Sequence, residues 1–214
     1  MTTPLRGQWG ELTTEDFARI ESARTVAVLP LGAVEQHGPH LPLDTDARIA
    51  EGILAAMWDH LDADLPVLAL PTVRVGTSAE HGTFPGTLSV PDTVLTSYLT
   101  GIGESMADAG VRKLVLLNAH GGQTQVLDTL ALDLRRRRGL LAVKANYFGF
   151  GVPAELVDDH ELTHGIHGGR VETAMMLYLA PEVVRIARAR RFESLSETLA
   201  AHTRHLRPEG AIGF

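Results

Sequence analysis

Short apolar runs alternate along this chain with segments of helical period, and that alternation restricts the fold more than any other feature. The strand-like runs cover 25–31, 65–75, 113–117 and 140–147. Between and after them, 46–61, 91–109, 124–138 and 171–179 repeat apolar residues at the spacing of one helix face. Gly76, Gly110, Gly139 and Pro181 supply stops, and Pro91 suits a first helical turn. Strands that are apolar throughout need cover on both faces. Connections long enough to hold a helix allow parallel crossovers. The expected architecture is a three-layer α/β/α sandwich with a mostly parallel central sheet, one domain over residues 1–214. The 44% apolar content is enough to fill such a core.

The remaining composition narrows the function. The formal charge is −7, with no basic stripe to neutralise a phosphate backbone, so nucleic acid is not an expected partner. The run Arg135 to Arg138 closes a predicted helix, where cations complement the macrodipole. There is no cysteine, so any metal must be held by nitrogen and oxygen. The N-terminus lacks an apolar signal-peptide core, and no run approaches the roughly 18–20 apolar residues of a membrane helix. A soluble cytoplasmic protein is expected, with no membrane partner.

One loop carries a dense set of donors. Glu35, His37, His40, Asp44 and Asp46 follow the run 25–31, and His120 follows the run 113–117. In a parallel sheet both loops leave at the carboxyl edge, where open α/β folds bind ligands. Carboxylates and neutral imidazoles together suit zinc, iron(II) or manganese. Gly121 and Gly122 come next: small residues there let backbone N–H groups approach an oxyanion, or simply make a strand-to-helix turn. His40 and Asp44 are expected to support the ligands or the loop, and His160 and His164 to lie in a loop. His202 and His205 fall in a polar C-terminal stretch with no clear period.

Four segments in order extend this picture: Glu35-Gln-His-Gly-Pro-His-Leu-Pro with Asp46, Gly76-Thr-Ser-Ala-Glu-His-Gly-Thr-Phe-Pro-Gly, Asn118-Ala-His-Gly-Gly, and His167-Gly-Gly-Arg-Val-Glu-Thr. Together they resemble the creatininase family of metal-dependent amidohydrolases. The resemblance implies two divalent ions per subunit. Glu35 and His120 would hold one, His37 and Glu172 the other, and Asp46 would bridge both. It also implies catalytic roles for His167, as a proton-transfer group, and for Glu172, with substrate contacts from His81, Gly121 and Gly122. Such ions lower the pKa of bound water toward roughly 7 and supply a nucleophile for an amide carbonyl. Mild departures are Ala119 for a common glycine and Gln123 for a common asparagine. A larger one is Gly122, where creatinine-hydrolysing members place an acidic ligand. The segments 41–46, 76–81 and 84–87 look most like the mycofactocin branch, whose substrate is a small precursor peptide cut near its modified C-terminus. Creatinine, a formamide, or a non-catalytic metal-binding role are the alternatives. Relatives assemble as homo-oligomers, hexamers among them.

Overall fold

The computed structural model describes residues 4–153 and 155–191. His202, His205 and most of the polar C-terminal stretch lie outside the described residues. In chain order the elements are β1 (Gly7–Gln8), α1 (Thr14–Phe17), β2 (Val26–Leu31), α2 (Thr45–Met57), β3 (Val67–Ala69), α3 (Asp92–Asp108), β4 (Lys113–Asn118), α4 (Thr124–Arg138), β5 (Leu141–Asn146), α5 (Asp159–His164) and α6 (Arg170–Leu179). The sheet order is β1-β3-β2-β4-β5, and each pairing is parallel.

The residues of β2, β3 and β4 alternate between two buried faces, as continuous apolar strands require, while β5 at the sheet edge leaves Leu141 and Val143 exposed. Ala27, Leu29, Leu31, Leu114 and Leu116 pack with Leu95, Leu99 and Met106 of α3 and Leu127, Leu130 and Leu134 of α4. Val28, Val67, Ala69 and Leu117 pack on the other face with Leu54 of α2, whose Ile49 and Ala50 meet Met176 of α6. Each fully buried leucine contributes about 1.5–3 kcal/mol.

The predicted strand 65–75 contracts to Val67–Ala69, followed by an isolated bridge from Val73 to Leu31. The Leu70 amide donates to the Val28 carbonyl, but the next bond to β2 comes three residues on, from Val73 to the Pro30 carbonyl, so one extra residue at Pro71–Thr72 breaks the regular ladder. Pro30, inside the central β2, is tolerated for a related reason. The amides of Val26 and Gly32 point toward the β3 side, so the donor that Pro30 lacks falls where β3 has already stopped. His160 and His164, expected in a loop, lie instead in α5, which Asp158 caps by accepting from the Glu161 amide. Gly139 ends α4 at φ 65°, a left-handed cap that glycine adopts without penalty.

Topology places the site. The crossover through α2 carries the chain from β2 to β3, and the one through α3 carries it back past β2 to β4. The strand order therefore reverses between β2 and β4, and a crevice opens outside their carboxyl ends. Leu31 is in register with Asn118, so the two strands end level. No helix among the described residues is long and apolar enough to cross a membrane.

Candidate metal centre

Each side chain of the centre is aimed by a piece of regular structure. Glu35 and His37 follow β2, and His120 follows β4. The Asn118 amide clamps the latter turn: its nitrogen donates to the His120 and Asn146 oxygens at 2.7 and 2.9 Å, and its oxygen accepts from the His120 amide and Gln123 Nε2. Asp46 and Glu172 sit in the first turns of α2 and α6. Asp46 begins the buried stripe continued by Ile49, Ala50 and Leu54, and Glu172 precedes buried Met176 by one turn. The apolar faces that dock these helices thus turn the two carboxylates inward. The positive ends of the helices favour their charge.

The donors converge. Asp46 Oδ1 lies 2.9 Å from His37 Nε2, while its Oδ2 lies 3.1 Å from His120 Nδ1. Glu35 Oε1 is 3.2 Å from His120 Nδ1, and Glu172 Oε2 is 3.9 Å from His37 Nε2. The two oxygens of Asp46 therefore face two donor groups, His37 with Glu172 and His120 with Glu35. His37, Asp46 and Glu172 form one cluster compact enough for an ion; Glu35 and His120 form another with Glu80, and Glu35 and His37 a third with His167.

Backbone groups fix the imidazole tautomers. His37 Nδ1 donates to the Glu35 carbonyl at 3.1 Å, and His120 Nε2 donates to the Thr77 carbonyl at 2.7 Å. The opposite nitrogens, Nε2 of His37 and Nδ1 of His120, are left to point lone pairs at the carboxylates. Lone pairs facing one another at 3 Å require a cation or a proton between them. Glu35 Oε2 and Asp46 Oδ2 are buried and accept no hydrogen bond. This donor set, oxygen and nitrogen atoms with orphaned carboxylate oxygens, fits divalent ions.

The electrostatics say the same. Burial opposes a charge on His37, but Asp46 beside it, with Glu172 and Glu35, raises its pKa to about 10. Burial is likewise overcome at His120, which Asp46 and Glu35 push well upward. Burial pushes Asp46 and Glu35 up, yet His37 and His120 outweigh it at Asp46, as His120 does at Glu35, and both carboxyls are lowered. Glu172, in contrast, is pushed up by burial to about 7. Tyr147 donates to its Oε1 at 3.2 Å and the Gly168 amide to its Oε2. Protons on His37 and His120 stand where cations would.

His167 stacks between His37 and His81, with ring centroids 4.3 and 4.2 Å away. Its Nε2 donates to the Gln36 carbonyl, leaving Nδ1 3.6 Å from Glu35 Oε1. Burial, reinforced by the charge of His37, pushes it down to about 3. His81 Nε2 lies 3.7 Å from the same Glu35 oxygen. The two glycines differ: a Cβ on Gly121 would meet nothing within 4 Å, while one on Gly122 would lie 1.9 Å from Glu80 Oε1. His40 bonds Thr173, next to Glu172, at 2.7 Å. Asp44 holds Arg48 at 2.8 Å and Arg74 at 3.0 Å and braces the loop. The sequence reading missed Tyr147 and the place of Glu80 beside His120. Tyr147 follows β5 directly, so the carboxyl-edge logic that located His120 could have found it.

The creatininase family profile, described as creatinine amidohydrolase, matches residues 10–214. The chain belongs to the creatininase family. It is accordingly a metal-dependent hydrolase of carbon–nitrogen bonds. It is 37% identical over 187 residues to the mycofactocin precursor peptide peptidase of Mycobacterium tuberculosis, covering 85% of this chain and 69% of that one. It is 30% identical over 196 residues to the creatinine amidohydrolase of Pseudomonas putida, covering 84% and 74%. Among solved structures, a mutant creatininase superposes with a TM-score of 0.74 at 26% identity, over 89% of this chain and 79% of the other. Related creatininase structures are described as manganese and zinc–zinc forms, at TM-scores of 0.68 and 0.66.

Proposed function

We propose that this creatininase-family chain is a two-ion peptidase that releases the modified C-terminal dipeptide of the mycofactocin precursor peptide. The observation that carries the two-ion reading is Asp46, whose two buried oxygens face separate donor groups. In this reading Glu35 and His120 hold one ion, His37 and Glu172 the other, and Asp46 joins them. The peptide substrate rests on the greater identity to the mycobacterial peptidase than to the creatinine amidohydrolase, 37% against 30% over similar shares of the chain.

Bound divalent ions would supply an activated water and positive charge for a developing oxyanion. The protein's own groups do the rest. His167, with Nε2 committed to the Gln36 carbonyl, presents a Nδ1 that burial and the charge of His37 keep free of a proton before the reaction, and this Nδ1 is the proposed transient acceptor. Water oxygen bonds to the amide carbon as His167 takes its proton. The C–N bond then breaks as His167 returns that proton to the leaving nitrogen. His81 steadies His167 by stacking and borders the substrate path. The open space at Gly121 leaves room for substrate beside the backbone. Assembly as a homo-oligomer belongs to the same proposal. The exposed Leu141 and Val143 on edge strand β5, with Phe150 nearby in sequence, support it.

The test is mass spectrometry of products from the modified precursor peptide and from creatinine, with Glu35→Gln as control. A C-terminal dipeptide product that the variant fails to make is the expected result. Creatinine opening without peptide cleavage would overturn the substrate assignment and leave the metal chemistry standing.

A further inference from the structure

Glu80 has no part in the five-ligand arrangement, yet its carboxylate lies in the same crevice. It rides on a 3-10 turn, Ala79–His81, whose neighbours already touch the centre. The Thr77 carbonyl accepts from His120, and His81 reaches Glu35. Glu80 Oε1 stands beside the His120 ring, 3.7 Å from the Nε2 that donates to the Thr77 carbonyl and not from the ligating Nδ1, and its side chain is only 23% exposed. The volume it fills belongs geometrically to residue 122. A Cβ there would sit 1.9 Å from Glu80 Oε1, 2.8 Å from its Cδ and 2.7 Å from His120 Nε2. Gly122 therefore leaves a space beside His120 into which the Glu80 carboxylate projects. Glu35, Glu80 and His120 together offer donor atoms close enough to share one ion. Independently, the fully buried Glu35 Oε2 accepts no hydrogen bond. A cation is the partner that satisfies it.

From this geometry we infer that Glu80 is a metal ligand, completing the coordination of the ion held by Glu35 and His120. The inference rests on the proposed two-ion centre and adds a sixth side chain to it. Asymmetry follows: the carboxylate comes from a loop after β3, while the other ligands come from strand ends and helix starts. The substrate loop and one ion are thereby tied together, so losing that ion frees the turn that carries His81.

The test is titration of metal-stripped protein with manganese or zinc by calorimetry, with metal content measured after gel filtration. Circular dichroism confirms the fold. The wild-type protein should take two ions. Glu80→Gln should bind one of them more than about 100-fold more weakly, beyond the roughly 10–100-fold of an outer hydrogen-bonding partner, and leave the other unchanged. The double variant Glu80→Gly with Gly122→Glu, which moves the carboxylate to the opposite side of the same volume, should regain the second ion. A Glu80→Gln protein that holds both ions with wild-type affinity overturns the inference. So does a smaller loss shared by both ions. A wild-type protein that takes up no ion overturns the two-ion proposal along with it.

Discussion

Gly32→Ala is expected to damage stability and the metal centre together. Gly32 follows β2, and its backbone lies against the start of α2. A Cβ there would sit 2.5 Å from both Ala47 Cα and Ala47 N, and 2.9 Å from Ala47 Cβ. Carbon atoms pack at about 3.5–4.0 Å, so β2 and α2 must separate by roughly 1 Å. The opposing atoms are backbone, and no rotamer change relieves them. Gly32 is also held from behind, since its amide donates to the Val73 carbonyl at 2.9 Å. Overpacking of this kind costs about 1–3 kcal/mol, and backbone on both sides places it near the upper figure. For a chain of this size, about 3 kcal/mol corresponds to a Tm lower by roughly 6–12 °C. The displaced segments carry Glu35 and Asp46, so a 1 Å spread should lower turnover by about 100-fold. Calorimetric melting, metal titration and steady-state turnover, with Gly101→Ala as the unhindered control, read these effects. A Gly32→Ala protein that melts within about 2 °C of wild type and binds metal normally would refute the packing argument.

Asp46→Asn should abolish both ions, whereas Glu172→Gln should spare the ion on Glu35 and His120; metal analysis of the purified proteins separates the two patterns. Metal uptake should release protons, because His37 and His120 must become neutral to ligate; calorimetry in buffers of different ionisation enthalpy should show apparent affinity rising with pH toward about 10, the raised value of His37. In metal-free protein the same shift has a stability consequence of definite sign. The raised His37 contributes fully below about 6.5, its unfolded value, and the contribution is lost as pH rises through about 10. His167→Ala should keep both ions and lose about 10²–10⁴-fold in turnover, as read by steady-state peptide cleavage.

The sequence by itself determined the layers and the site's address. Apolar runs alternating with helical stripes left one economical arrangement, a covered parallel sheet, and residues just after those runs had to share its carboxyl edge. Glu35, His37 and His120 were placed together for that reason, Asp46 because it follows them in the same loop, and Glu172 only through the family resemblance. Local pattern could not reveal events between segments distant in the chain. The shortening of the third strand at Pro71 depended on which neighbour needed its hydrogen bonds. The tautomers of His37 and His120 depended on carbonyls, one of them more than forty residues away. The division of Asp46 between two donor groups depended on the level ends of β2 and β4. Gly122 could be seen as a missing side chain, but its occupant could not. Only the folding of the loop after β3 back over β4 brought the Glu80 carboxylate into that volume, because a side chain's neighbours in space are set by packing and not by spacing along the chain.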